Sequence, residues 1–144
     1  MALDLLHFAD AAALPIQHAI ESNRARCYVS ANTHAELSRV LTYPEFKLAA
    51  STQAALLARY QSWFGDLQAI QATHRKLPRC RDPDDQMFLE LAASIPADFL
   101  VSKDNAVLAL KHRVLEFKIL TPGEAAMFFS SNPTRLTAHN LAIT

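Results

Sequence analysis

The chain has 144 residues, of which 51% are hydrophobic and 19% are charged, and its formal net charge at pH 7 is zero. This length and composition predict a single packed domain and exclude an intrinsically disordered chain. A chain without net charge does not attract nucleic acid as a whole. Any contact with nucleic acid must therefore come from a local cluster of basic residues.

The two cysteines and the N-terminal stretch bear on the cellular setting. Cys27 and Cys80 lie far apart in the sequence, and no signal peptide precedes them. This pattern predicts a cytoplasmic protein in which both thiols are free. Residues 1–8 are apolar but too few to span a membrane, and they lack a basic flank. We therefore expect no membrane partner.

The first half of the chain alternates between helical patterns and short apolar runs. Helices are expected at residues 2–8, 11–22, 31–42 and 52–64, with a short buried strand at 27–30. Asp10 and Ser51 stand where a side chain caps a helix, and Gly65 stands where one ends. Weak alternation at 67–72 indicates an edge strand, and a basic loop follows at 74–81.

The second half has clearer boundaries. Helices are expected at 82–94, 104–111 and 122–129, with strands at 97–102 and 114–120. Asp82 followed by Pro83 is typical of a helix start, and Thr121 with Glu124 forms a capping box. From residue 130 onward the polar residues predict a loose tail, although Leu141-Ala142-Ile143 could pair with another strand. The expected organisation is one domain at 1–129 and a C-terminal tail at 130–144.

Strands separated by helices predict an α/β fold whose central sheet is mainly parallel. In such sheets ligands bind beyond the carboxyl ends of the strands. Ser102 and Asp104 follow a predicted strand at this edge, and Glu36 lies on the helix after another strand. Asp85, in the first turn of its helix, is expected to reach the same edge.

Each acidic residue also has an ordinary structural explanation. Asp104 suits a helix N-cap, Asp84 and Asp85 suit the positive end of a helix dipole, and Glu36 could close a capping box. Taken one at a time, these explanations are the better ones. Three acids at strand-to-helix edges favour a shared site instead. Mg²⁺ and Mn²⁺ prefer oxygen ligands, and a divalent cation relieves the repulsion between clustered carboxylates.

Three segments carry a resemblance to a known family: Thr33-His34-Ala35-Glu36-Leu37, Arg81-Asp82-Pro83-Asp84-Asp85 with the apolar helix after it, and Asp98-Phe99-Leu100-Val101-Ser102-Lys103-Asp104. In this order the chain resembles the PIN-domain ribonucleases, many of which are toxins of toxin–antitoxin pairs. The resemblance covers residues 2–129. It implies a three-layer fold, with Glu36, Asp85 and Asp104 holding Mg²⁺ or Mn²⁺ and Ser102 supporting the site.

The start of the chain departs from this family. PIN domains open with a strand that ends in Leu-Asp-Thr-Asn, and the sequence here has no such segment. That strand is expected at the centre of the sheet, so without it two strand edges would be left open. We expect Met1 to be an internal methionine misread as the start. The alternatives are that the tail or a partner chain fills the gap.

A basic run from His74 to Arg81 precedes the acidic motif. Its functional interpretation is contact with an RNA backbone beside the metal, through Arg79 and Arg81 together with Lys103. The ordinary interpretation is a solvated loop.

The resemblance implies a metal-dependent endoribonuclease in which an activated water cleaves RNA phosphodiester bonds. It further implies a toxin with an antitoxin partner, and we expect a homodimer. The alternative is a catalytically impaired PIN-like module that binds RNA or a partner without cleavage, and the lack of the opening aspartate is its main support.

Overall fold

The computed structural model describes residues 11–29, 31–63, 76–133 and 138–144. Its helices are α1 Leu14–Glu21, α2 Ala31–Val40, α3 Ala50–Trp63, α4 Gln86–Ser94, α5 Asn105–Leu108 and α6 Pro122–Ser131. Its strands are β1 Ala25–Tyr28, β2 Phe99–Val101, β3 Lys118–Leu120 and β4 His139–Ile143. Short 3₁₀ turns at Pro44–Phe46 and Pro83–Asp85 precede α3 and α4.

The four strands form one sheet in the order β1-β4-β2-β3, and every neighbouring pair is parallel. Leu141 of β4 lies in register with Cys27 of β1 on one side and with Phe99 of β2 on the other. The predicted α/β fold with a parallel sheet flanked by helices is therefore confirmed.

Two hydrophobic cores cover the two faces of the sheet and give the fold three layers. Phe99, Val101, Leu141 and Ile143 pack into one core with residues of α1, α2, α3 and α6. Leu100, Ile119 and Ala142 pack into the other core with residues of α4 and α5. Because neighbouring residues of a strand point to opposite faces, a strand covered on both sides is apolar throughout.

The main correction concerns the C-terminal residues. The prediction of a loose tail is wrong for residues 139–143, which form β4 in the middle of the sheet. Leu141 and Ala142 are fully buried there. Of the alternatives for the position between β1 and β2, the C-terminal segment is the one that occupies it. Residues 1–10 lie outside the described residues, so the expected upstream strand stays a prediction.

The predicted helix starts are confirmed where a side chain caps the helix or the 3₁₀ turn before it. Asp82 accepts a hydrogen bond from the Asp84 N–H at 3.0 Å. Thr121 and Glu124 form the predicted capping box at the start of α6. Several boundaries differ. The strand predicted at 27–30 is Ala25–Tyr28, and the helix predicted at 104–111 is Asn105–Leu108. Ser51 lies inside α3 rather than capping it, and the strand expected from residue 114 begins only at Lys118.

Several expectations fall outside the described residues. These are the helix at 2–8, the cap at Asp10, the helix stop at Gly65 and the edge strand at 67–72. Cys27 and Cys80 are both buried and free, and burial raises the pKa of the Cys27 thiol. None of the described helices is both long and apolar enough to cross a membrane.

Candidate active site at the carboxyl edge of the sheet

All four strands point the same way, so their carboxyl ends meet at one edge of the sheet. Ser102 directly follows β2 and Thr144 directly follows β4, and α5 begins with Asp104 at its N-cap. The side chain of Ser102 is fully buried, although it is polar. This edge therefore carries Ser102 and Asp104, which the sequence predicted there, and also Thr144, which it did not.

Asp104 is held at the edge by three groups. Its Oδ1 accepts a hydrogen bond from the Ala106 N–H at 2.7 Å, which caps α5. Its own N–H donates to the Ser102 hydroxyl oxygen at 3.0 Å. The Ser102 N–H in turn donates to the Leu120 carbonyl oxygen at 3.0 Å, which ties this segment to β3. The predicted cap is thus real, but it engages only one carboxyl oxygen of Asp104.

Asp85 differs from Asp82 because its side chain makes no capping hydrogen bond. It stands at the N-cap position of α4, and the cap of the preceding 3₁₀ turn comes from Asp82. The Oδ2 atom of Asp85 is buried and has no hydrogen-bond partner among the described residues. A buried carboxylate oxygen without a partner is costly unless a ligand satisfies it.

Asp85 and Asp104 interact directly, although they are distant in sequence. The pKa of Asp85 is raised to about 6, first because burial disfavours the charged form and then because of the negative charge of Asp104. The charge of Asp82, a hydrogen bond to the Asp104 side chain and the charge of Asp84 raise it further. A carboxylate whose pKa is raised by a neighbouring negative charge is stabilised in its charged form by a cation bound between the two.

This pair fits a divalent metal ion, because it offers hard oxygen donors, one of them buried and unsatisfied. Glu36, the third predicted ligand, does not join the pair through any observed contact. Its Oε1 accepts a hydrogen bond from Arg39 at 2.8 Å, and both side chains are largely exposed. Within the described ranges no group of three or more His, Cys, Asp or Glu residues is placed to hold a metal. The three-carboxylate ligand set stays a prediction.

An open groove of about 550 Å³ lies beside the pair. Its lining residues are Arg81, Asp82, Pro83, Asp104, Asn105 and Ala106. Arg79 and Lys103, the other predicted RNA contacts, are exposed but do not line this groove. Of the three predicted basic contacts, only Arg81 lines this groove, together with Asp104.

Gln86 holds the basic segment in place. Its Oε1 accepts a hydrogen bond from the Cys80 N–H at 2.7 Å, and its Nε2 donates to the Pro78 carbonyl oxygen at 3.4 Å. These contacts fasten the residues on either side of Arg79 to the first turn of α4. Pro78 and Cys80 are thereby fixed next to the start of α4.

A comparison with protein-family models matches residues 1–106 to the PIN domain. The chain belongs to the PIN-domain family. PIN domains are in general nucleases that bind RNA and use divalent metal ions. No curated protein and no solved structure matched the chain.

Residue-level reasoning missed three groups that the PIN domain here brings to the site. Thr144 reaches it only because β4 enters the sheet, Gln86 acts through backbone contacts, and Asn105 lines the groove beside Asp104. The apolar run before Thr144 was the one available signal for β4. The roles of Gln86 and Asn105 depend on tertiary contacts that no local pattern reveals.

Proposed function

We propose that this PIN domain is an Mg²⁺- or Mn²⁺-dependent endoribonuclease. The observation that carries the proposal is the direct interaction of Asp85 with Asp104, together with the buried Oδ2 of Asp85, which has no hydrogen-bond partner in the part of the chain that the structure describes. A protein that did not bind a cation there would keep two repelling acids and an unsatisfied oxygen in one place.

Each residue of the site has a distinct part in the proposal. Asp85 and Asp104 would hold the metal ion, and Glu36 would complete the ligand set directly or through water. When bound, the ion offsets the charge on the phosphodiester and lowers the pKa of the attacking water. Ser102 fixes the Asp104 backbone through the hydrogen bond that it accepts. Arg81 lines the groove and would pair with RNA phosphates. Arg79, two residues before it, and Lys103, directly before Asp104, would add further contacts.

The test is cleavage of a labelled single-stranded RNA in Mn²⁺, compared with the same reaction in EDTA. We expect Asp85→Asn to abolish metal-dependent cleavage while the protein stays folded by circular dichroism. Asp84→Asn is the matched control, because it removes an exposed acid one residue away. We expect this control to cleave as the wild type does.

Equal cleavage by wild type and Asp85→Asn would exclude the site, because a contaminating nuclease would then account for the activity. No cleavage by the wild type in Mn²⁺ would exclude the enzyme and favour the second candidate function.

The second candidate is a PIN domain that binds RNA or a partner without cleaving it. The exposed Glu36–Arg39 pair favours it, because a third carboxylate engaged on its own helix does not contribute to the acidic pair. Removal of the Arg39 charge tests the role of Glu36: Arg39→Ala frees Glu36 and should raise Mn²⁺ affinity if Glu36 is a ligand. An unchanged affinity would leave the ligand set at two residues.

A toxin role, an antitoxin partner, a homodimer and a cytoplasmic location complete the proposal. The Arg81-Asp82-Pro83-Asp84-Asp85 motif supports the toxin role, because it resembles that branch of the family. The two free cysteines support a reducing compartment. Arrested growth on induced expression, relieved by Asp85→Asn, would support the toxin role. Light scattering after size-exclusion chromatography measures the oligomeric state.

A further inference from the structure

We infer that Thr144, at the carboxyl end of β4, is a positioning residue for the metal site and acts through Ser102. The inference rests on the proposed function, since it assigns a role at the same site. It concerns a residue outside the three motifs and outside residues 1–106 that match the family.

The connection consists of two hydrogen bonds on one buried oxygen. The Thr144 hydroxyl donates to Ser102 Oγ at 3.1 Å, and the Asp104 N–H donates to the same atom at 3.0 Å. A serine hydroxyl oxygen has two lone pairs, and both are engaged here. The proton of Ser102 is therefore directed away from Thr144 and from the Asp104 amide, so the rotation of this hydroxyl is fixed.

Fixing Ser102 also fixes the carboxyl group of Asp104. The backbone of Asp104 is held from Ser102, and its Oδ1 is held by the Ala106 N–H at 2.7 Å. The position of Oδ2, which the cap does not use, follows from these two restraints. Loss of a group that orients a metal ligand typically lowers metal affinity about 10- to 100-fold.

Thr144 is itself well anchored. Its N–H donates to the Val101 carbonyl oxygen at 3.2 Å, one residue before Ser102. The preceding Ile143 is nearly fully buried and pairs with Val101 across the β4–β2 ladder. Because the backbone of Thr144 is already fixed, its side chain loses little additional conformational entropy when its hydroxyl binds Ser102.

The test is a Mn²⁺ titration by calorimetry, without RNA, on the full chain. We expect Thr144→Val to weaken Mn²⁺ binding roughly tenfold, as loss of an orienting group does. Valine keeps the branched shape that suits a strand. Thr144→Ser keeps the hydroxyl and should restore the affinity. Thr42→Val is the matched control, because the Thr42 hydroxyl donates to the Arg39 carbonyl oxygen at 2.6 Å at the end of α2.

A double-mutant cycle with Ser102→Ala tests whether Thr144 acts through Ser102. If Thr144 acts through Ser102, Thr144→Val should weaken Mn²⁺ binding no further in the Ser102→Ala background. Equal losses in both backgrounds would overturn the inference, as would wild-type affinity in Thr144→Val. If Thr144→Val does not melt cooperatively, Ser102→Ala decides alone, and wild-type affinity there overturns the inference.

Failure of this inference is distinguishable from failure of the proposed function. Wild-type affinity in Thr144→Val with lost affinity in Asp85→Asn would overturn only the role of Thr144. A wild-type chain that binds no Mn²⁺ would overturn both.

Discussion

Asp98 and Asn140 hold each other through two hydrogen bonds of 2.8 Å. The Asp98 N–H donates to the Asn140 carbonyl oxygen, and the Asn140 N–H donates to Oδ2 of Asp98. The same Oδ2 lies 3.6 Å from Nδ1 of His139. Because Asp98 directly precedes β2 and Asn140 belongs to β4, this pair fastens the C-terminal strand at the end opposite the candidate site.

We expect Asp98→Ala to lower the free energy of unfolding by about 1 kcal/mol, because the Asn140 N–H loses a partly exposed acceptor. Asp98→Asn keeps an acceptor oxygen and should lower the free energy of unfolding by less. Urea denaturation measures both, with Glu116→Ala, an exposed acid before β3, as the control. If Asp98→Ala and Glu116→Ala unfold at the same urea midpoint, the hydrogen bonds between Asp98 and Asn140 do not contribute to stability.

Leu141 tests whether β4 belongs to the folded core in solution. Its backbone pairs with β1 and β2, and its side chain is fully buried in the first core. We expect Leu141→Ala to cost about 2–5 kcal/mol of unfolding free energy, as cavity-forming substitutions do. Leu115→Ala is the matched control, because Leu115 is 93% exposed and should change stability by less than about 0.5 kcal/mol. Equal stability of the two variants would mean that β4 is detached.

The sequence predicted those features that depend on near neighbours. Asp82 and Thr121 cap helices through backbone groups two or three residues away, so their local pattern is sufficient. The strand at Phe99–Val101 is short and apolar, and its burial on both faces follows from that pattern.

Features that depend on distant partners were not predictable in the same way. β4 has only five residues, and its polar first half resembles a tail. Its neighbours β1 and β2 come from distant parts of the chain, so only the assembled sheet reveals its place. Val114 and Phe117 lengthened the strand predicted at 114–120 because they are apolar, yet they are buried in the second core without strand pairing.

In the candidate site, two of the predicted acidic residues come together and the third does not. Asp85 and Asp104 were predicted from motifs, and the fold brings them together. Glu36 was predicted from the same resemblance, but its observed partner is Arg39, three residues along its own helix. Exposed helical residues at this spacing pair readily, and a tertiary ligand must compete with that local contact.

The raised pKa of Asp85 makes stability depend on pH in a defined direction. Its pKa is about 6 in the folded state against an ordinary value of 3.8, so between these values the folded chain binds more protons than the unfolded chain. The Asp85 contribution to unfolding free energy therefore falls as pH rises from about 4 to 6. Urea denaturation from about pH 4 to 6 should show that the free energy of unfolding falls in the wild type and that this fall is absent in Asp85→Asn. Saturating Mn²⁺ should also remove it, and identical pH profiles for wild type and variant would contradict the assignment.

Arg81 should contribute to RNA binding in a way that salt reveals. It is exposed and lines the groove beside Asp104, so its guanidinium is placed to pair with a phosphate. For single-stranded nucleic acid, each phosphate contact contributes about 0.7 to the slope of log affinity against log salt. We expect Arg81→Gln to weaken binding of a labelled RNA and to reduce this slope by about 0.7. Fluorescence anisotropy in EDTA measures both quantities without cleavage.

Arg59→Gln is the control for this experiment, because it removes the same charge from α3, where Arg59 stacks 4.6 Å from the centre of the Trp63 ring. A non-specific effect of net charge would reduce the slope equally in both variants. A contact at the groove reduces it in Arg81→Gln alone, because only that residue lies beside the acidic pair.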